Sequence, residues 1–159
     1  MLEVRPLAED ERDWALEVQT ASWGEPVVAR RGELVDTREL SALAAVEDGR
    51  PIGLATYAVR GEECELVTLR SLVEGRGAGR ALLEAVRDLA AAAGCRRLWL
   101  VTTNDSTRAL ALYQRFGFDL CAFRPHAVTQ ARRALKPTIP ERGADGIPIR
   151  HELELELEL

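Results

Sequence analysis

The chain has 159 residues, 47% of them hydrophobic, and a net charge of −5. That is enough for one domain with a real core, here residues 1–159, and the lack of polar low-complexity tracts excludes a disordered chain. The acidic balance disfavours nucleic acid as a partner, and no apolar run reaches the roughly 18 residues of a membrane span.

The N-terminal MLEVRPLAEDERDW has neither the basic nor the apolar region of a secretory signal, so a cytoplasmic protein is expected. Leu2 to Leu7 reads as a strand and Glu9 to about Thr20 as an amphipathic helix carrying Trp14, Leu16 and Val18. Ser22 to Ser41 is polar and without clear period. Ala44 to Glu47, the turn Asp48-Gly49-Arg50-Pro51, and Ile52 to Val59 read as a hairpin. Gly61 then turns the chain into a third strand, Glu63 to Leu69, on which Glu63, Glu65 and Val67 share a side by period two.

Next comes LRSLVEGRGAGRALL, Leu69 to Leu83: a strand end, a turn with Gly75, Gly77 and Gly79, and the start of a helix. Glycine takes positive φ readily and lets a ligand approach the backbone, and a helix N-terminus adds unpaired N–H groups with a partial charge of about +0.5. The segment reads as an anion cradle. A dinucleotide fingerprint fails because Arg80 or Leu82 stands where its last glycine or alanine belongs. A Walker loop fails because the only lysine is Lys136.

The helix is expected to run to Ala93 and end at Gly94, with Leu82, Leu83, Val86, Leu89, Ala90 and Ala93 as its apolar face. A buried strand, Arg97 to Thr103, precedes a helix from about Ser106 to Phe116 and a strand from Phe118 to Phe123. Residues 125–148 form a long connection with one short helix over Val128 to Leu135. The chain closes on residues 149–159, where leucines alternate with Glu152, Glu154, Glu156 and Glu158. That pattern predicts a half-buried strand with a solvated glutamate face at a sheet edge. Cys64, Cys95 and Cys121 are odd in number and each set in an apolar segment, so buried free thiols are expected and no metal site. The fold class is α/β, with a crossover helix joining two central strands.

Two segments carry a resemblance to the GCN5-related N-acetyltransferase (GNAT) superfamily. Glu74-Gly75-Arg76-Gly77-Ala78-Gly79 resembles its Gln/Arg-x-x-Gly-x-Gly/Ala signature, and TTNDSTRALALYQRFGF supplies Ala109, Tyr113, Gly117 and Phe118 of its second. The likeness covers about residues 52–123, the cofactor-binding core. The final portion looks like a bacterial branch whose acceptors are mostly unassigned.

The resemblance implies a mixed, mostly antiparallel sheet and direct acetyl transfer from acetyl-CoA to a primary amine, on a small molecule or a peptide. The pyrophosphate would sit on backbone N–H groups between Gly75 and Arg80, including Ala78, with Arg76 and Arg80 adding charge. The pantetheine arm would run beside Val67, Leu69 and Ser71, in a gap facing Arg97 to Thr103. Glu74 departs from the family's Gln or Arg, and Ser106 stands where the family often has Asn; Asn104 and Ser106 can both cap the helix.

An amine of pKa ≈ 10.4 is neutral in well under ~1% of molecules at pH 7, so a proton acceptor is needed. Glu63 and Glu65 are the candidates. Tyr113, protonated at neutral pH, is the candidate donor to the leaving thiolate, and a backbone N–H near Leu69 a candidate oxyanion donor. Ser22 to Ser41 and residues 125–148 are the expected acceptor walls, with Trp23, Arg30, Glu33 and Asp36 as contacts and His126 within reach; His151 is assigned to packing. A non-catalytic acyl-CoA sensor or protein-docking module is the competing reading. A homodimer is an expectation from the edge strand.

Overall fold

The computed structural model describes residues 1–159. The strands are β1 (Leu2–Pro6), β2 (Val27–Arg30), β3 (Glu33–Asp36), β4 (Ser41–Glu47), β5 (Arg50–Arg60), β6 (Glu63–Ser71), β7 (Arg97–Thr103), β8 (Asp119–Arg124) and β9 (Glu152–Glu158). The helices are α1 (Arg12–Trp23), α2 (Ala78–Ala92), α3 (Thr107–Phe116) and α4 (Ala127–Ala134). Seven strands make one sheet in the order β1-β4-β5-β6-β7-β9-β8, and β2 and β3 form a separate hairpin. Every pair in the large sheet is antiparallel except β6 with β7, whose connection is the crossover helix α2.

Alternation along the strands sends Cys64, Leu66, Leu98, Leu100 and Leu155 into one core with Leu82, Leu83 and Val86 of α2 and Tyr113 of α3. Fully burying a leucine or valine contributes about 1.5–3 kcal/mol, so the α2 stripe is a main tie between helix and sheet. The stripe is shorter than its period suggests: Leu89 and Ala93 are exposed, and cover ends at Ala90. On the other side, Ala15 and Val18 of α1 pack on Leu54, and the β2–β3 hairpin lies against Glu65 and Trp99.

One irregularity shapes the site. Thr56 pairs with Thr68 but Tyr57 pairs with Leu66, so Val67 is an extra residue that bends β6. The parallel ladder between β6 and β7 covers only Glu63–Arg97, Cys64–Leu98 and Glu65–Trp99. Beyond Glu65 and Trp99 the two strands have no ladder contacts, and a gap opens in mid-sheet.

Several expectations are corrected. The polar stretch 22–41 folds as the β2–β3 hairpin followed by a short turn of helix at Thr37–Glu39, built from strands too short to show a period. The last strand is not an edge. β9 lies between β7 and β8, so it offers no free edge for a homodimer, and β8 is the outer strand. Its glutamate face is solvated only toward the end, where Glu156 is half-buried and Glu158 exposed. Glu152 and Glu154 are buried: Arg124 donates to both at 2.9 and 3.0 Å, and Arg97 donates to Glu154 at 2.9 Å. Burial pushes the Glu154 carboxyl up, but the bonds from Arg97 and Arg124 outweigh it and hold the group below the usual range. Cys64 and Cys95 are buried free thiols, with burial pushing Cys64 up to about 12, whereas Cys121, the extra residue of a bulge in β8, is exposed. His151 precedes β9 rather than sitting in it, and its Nδ1 accepts from the His126 backbone N–H at 2.8 Å.

Candidate active site

The glycine turn ends in a set of free donors. Gly75 and Gly77 have φ of +75° and +77°, a conformation costing other L-residues about 1–2 kcal/mol, and Gly77 is the N-cap of α2. No backbone N–H from Gly75 to Arg80 donates to another group of the protein. Buried donors left so would be costly; at this open helix end they are free for an anion.

The side chains around the loop are turned away from it. Glu74, with 86% of its side chain exposed, is paired with Arg108. Arg76 reaches Glu47 at 3.5 Å, and Arg80 donates to Glu84 at 3.1 Å while stacking over Phe116. Ser71 donates to the Val73 carbonyl at 3.1 Å.

The gap between β6 and β7 is part of a cavity of about 650 Å³. Val67, Leu69, Ser106 and Tyr113 line it, along with Trp23 and Arg30 from the opposite side of the sheet. Tyr113 is held by an edge-on contact with Phe118, centroids 5.8 Å apart, and its hydroxyl has no hydrogen-bond partner in the protein. Burial pushes the phenol up to about 12, so it keeps its proton throughout the neutral range.

The two carboxylates expected as bases are not in this cavity. Glu63 sits at the closed end of the β6–β7 pair, 53% exposed and 3.6 Å from Arg97. Glu65 is 4% exposed and accepts two bonds of 2.8 Å from Arg30, itself 5% exposed. Arg30 also donates to Glu33 at 3.1 Å and stacks over Trp99. Its protonated form is reinforced above the usual range by the Glu65 bond, so Arg30 is committed to that carboxylate. Asp36 turns outward to Arg38, and neither it nor His126 lines the cavity.

Asn104 and Ser106 do not cap α3 with their side chains. Asn104 Oδ1 accepts from the N–H groups of Arg150 and His151 at 2.9 Å, and Nδ2 donates to the Pro148 carbonyl at 2.9 Å, which anchors the start of β9.

A family model described as Acetyltransferase (GNAT) family matches residues 7–118, the span holding the loop, the gap and Tyr113. The chain belongs to this family. The family reaction is transfer of acetyl from acetyl-CoA to an amine, and the protein is an acetyl-CoA-dependent N-acetyltransferase. It is similar to the uncharacterized protein YdhI of Bacillus subtilis (strain 168), 45% identical over 132 residues and 82% of each chain. The fold is that of an IAA acetyltransferase from Bacillus cereus ATCC 14579, with TM-score 0.74, 21% identity and all of both chains covered. A Bacillus subtilis acetyltransferase in complex with CoA superposes equally well, with TM-score 0.74, 18% identity and coverage of 100% and 99%.

Three cavity residues of this GNAT enzyme were not singled out from sequence. Lys136 is buried and its Nζ donates to the carbonyls of Trp23 and Val27 at 2.9 and 2.8 Å, tying α4 to the end of α1; burial lowers its pKa. Glu152 accepts from the Arg31 backbone N–H at 3.1 Å as well as from Arg124. Asp105 is buried between β7 and α3. Lys136 had a sequence signal, being the only lysine; Glu152 and Asp105 had none beyond a charged residue at an element's end.

Proposed function

We propose that the bent β6, the free N–H groups of the α2 N-terminus and Tyr113 form one transfer site, with acetyl-CoA entering from the α2 side and the amine from the β2–β3 hairpin side. The observation that carries this reading is the gap itself. It begins where the β6–β7 ladder stops, has Tyr113 in its lining, and is lined by elements from both faces of the sheet.

The fit to acetyl-CoA rests on features of this chain. A pyrophosphate needs several converging donors, and the N–H groups of Gly75 to Arg80 are free. An extended pantetheine arm needs an unpaired strand edge, and β6 presents one from Val67 to Ser71 on the side where β7 has left it. That stretch includes the Leu69 backbone assigned to the thioester carbonyl. Bound acetyl-CoA supplies an activated acetyl group. The Tyr113 phenol, protonated and without another partner, gives its proton to the departing thiolate.

Glu65 serves this reading by fixing Arg30, and through it the hairpin wall, rather than by taking a proton. Glu63 is a surface group in it. The acceptor side is largely apolar, built by Val27, Val28 and Ala29 of the hairpin and by Val128 and Ile139 from the connection.

Acetyl-CoA consumption across a panel of primary amines tests the proposal, read as free thiol. Tyr113→Phe should slow thiol release while leaving CoA affinity intact. Intact CoA binding with no thiol released by any amine would instead favour a cofactor sensor.

A further inference from the structure

We propose that Asp105 is the group that receives the acceptor, binding it as a cationic primary amine on an apolar body and then taking a proton from it. The inference rests on the acetyl-transfer reading and names the substrate class for the same cavity.

The charges lining the cavity are Arg30, Arg70, Asp105, Lys136 and Glu152, with Tyr113 as the remaining titratable group. Arg30 is neutralised by Glu65 and Glu33. Glu152 is neutralised by Arg124 and capped by the Arg31 N–H. The Lys136 ammonium is held by two carbonyls, and Arg70 is exposed at the rim. Lys136 likewise has no carboxylate within salt-bridge distance, but two of its three donors are spent on those carbonyls, whereas Asp105 is the cavity's unpaired acid. It is 8% exposed, and no cation lies within salt-bridge distance of it.

Its hydrogen bonding is half complete. Oδ1 accepts from the Thr103 hydroxyl, while Oδ2 accepts from no protein group. Nor is the carboxylate used to cap α3, although it stands one residue before the N-cap. Oδ2 lies against Gly143 of the long connection, so closely that a Cβ there would land on it. Glycine at 143 therefore makes room for the carboxylate, and both residues line the cavity.

A buried carboxylate lacking a counter-ion is costly, and the cost is relieved when a cation bearing N–H donors joins it. A primary ammonium meets that need with one charge and three donors. No second unpaired carboxylate lines the cavity, and the deep cation Lys136 has two of its three donors committed to carbonyls, so a single ammonium on an apolar body is the matching ligand.

The proton balance follows. The ammonium gives one proton to Asp105 and becomes a neutral amine. Its nitrogen forms the C–N bond to the acetyl carbonyl carbon as the C–S bond breaks. The thiolate takes the Tyr113 proton, and the proton still to leave nitrogen restores that phenol. The products are an N-acetyl amide, a free thiol and a proton on Asp105, which then passes to solvent.

The test uses the intact protein saturated with CoA, titrated at neutral pH with 2-phenylethylamine and with 2-phenylethanol, which has the same body and no charge. The wild type should bind the amine about tenfold more tightly than the alcohol, and Asp105→Asn should abolish that preference while CoA affinity stays within about twofold. Equal affinity for the two probes in the wild type, or an unchanged preference in Asp105→Asn, overturns the proposal, as does loss of CoA binding in the variant. The probe pair needs no variant, so a misfolded Asp105→Asn would not shield the idea. Thiol release from acetyl-CoA is followed in parallel. A charge preference without thiol release would sink acetyl transfer alone, and thiol release without a charge preference would sink the ammonium site alone.

Discussion

The glycine turn before α2 and the hairpin wall of the cavity offer groups of different kinds. At the α2 end the groups on offer are backbone N–H groups from one short segment, Gly75 to Arg80, and the nearby charged side chains turn to other partners. At the hairpin end the wall is tied by side chains, to charges or to backbone groups far away in sequence. Arg30 meets Glu65 across 35 positions, Arg31 meets Glu152 across 121, and Lys136 meets Trp23 across 113. A backbone cradle depends on local conformation and tolerates almost any side chain that points outward. A wall held by such long-range side-chain ties depends on the whole fold and fails when one member is lost.

The sharpest way to break the contrast is at the buried pair. Glu65→Gln leaves Arg30 with only the exposed Glu33 as counter-charge and should cost up to about 3–5 kcal/mol in urea unfolding. Replacing both partners with apolar residues of similar size should recover most of that loss. If Glu65→Gln alone leaves the unfolding midpoint in place, the hairpin wall is not held by this pair.

Tyr113 lies between the two ends and should separate them. Tyr113→Phe is expected to lower kcat about 100-fold, about 2.7 kcal/mol of barrier, with CoA affinity unchanged by calorimetry. The same variant tests the burial of the phenol. A group raised from 10.0 to about 12 keeps its proton in the folded state while the unfolded chain ionises. Its share of stability is therefore full below pH 10 and lost as pH rises through about 12. The wild type should lose more stability than Tyr113→Phe over that window; parallel slopes would mean that the ring is not buried in solution.

At the cradle, Gly77→Val forces a β-branched residue to positive φ and should weaken CoA binding about tenfold without unfolding the protein. Unchanged affinity would reduce the loop to a turn. The smallest effect is expected at Glu74. Its carboxylate is in solvent with Arg108, so Glu74→Gln should change CoA affinity by less than about twofold. A larger gain would show that the side chain swings toward the phosphates when CoA binds.

The same contrast explains what could be read before the fold was known. The cradle, the crossover helix and Tyr113 were legible because glycine spacing, helical period and the Tyr-to-Gly-Phe interval are local. The period-two strands were legible too, including β7 at its observed bounds. What period two cannot tell is which strand a segment pairs with. Glu152 and Glu154 of β9 therefore read as solvated until Arg97 and Arg124, from β7 and β8, covered them. The helical period likewise marks a stripe on α2 without telling how far the sheet covers it, which is why Leu89 was misplaced. Glu65 reads as a free carboxylate from its position on β6, because its partner Arg30 lies in a hairpin that has no period of its own. Asp105 stands between Asn104 and Ser106, the residues that read as caps, and only the fold shows it pressed against Gly143.

The buried Lys136 has a practical consequence. It is the only lysine in the chain, so this enzyme, whose business is modifying amines, presents no lysine side chain of its own at the surface. That side chain makes a poor target for the enzyme's own chemistry, and also for the amine-directed reagents of the laboratory. Any labelling of that side chain must wait until α4 parts from the end of α1, so the labelling rate would time the opening of the acceptor chamber with a reporter already built into the protein.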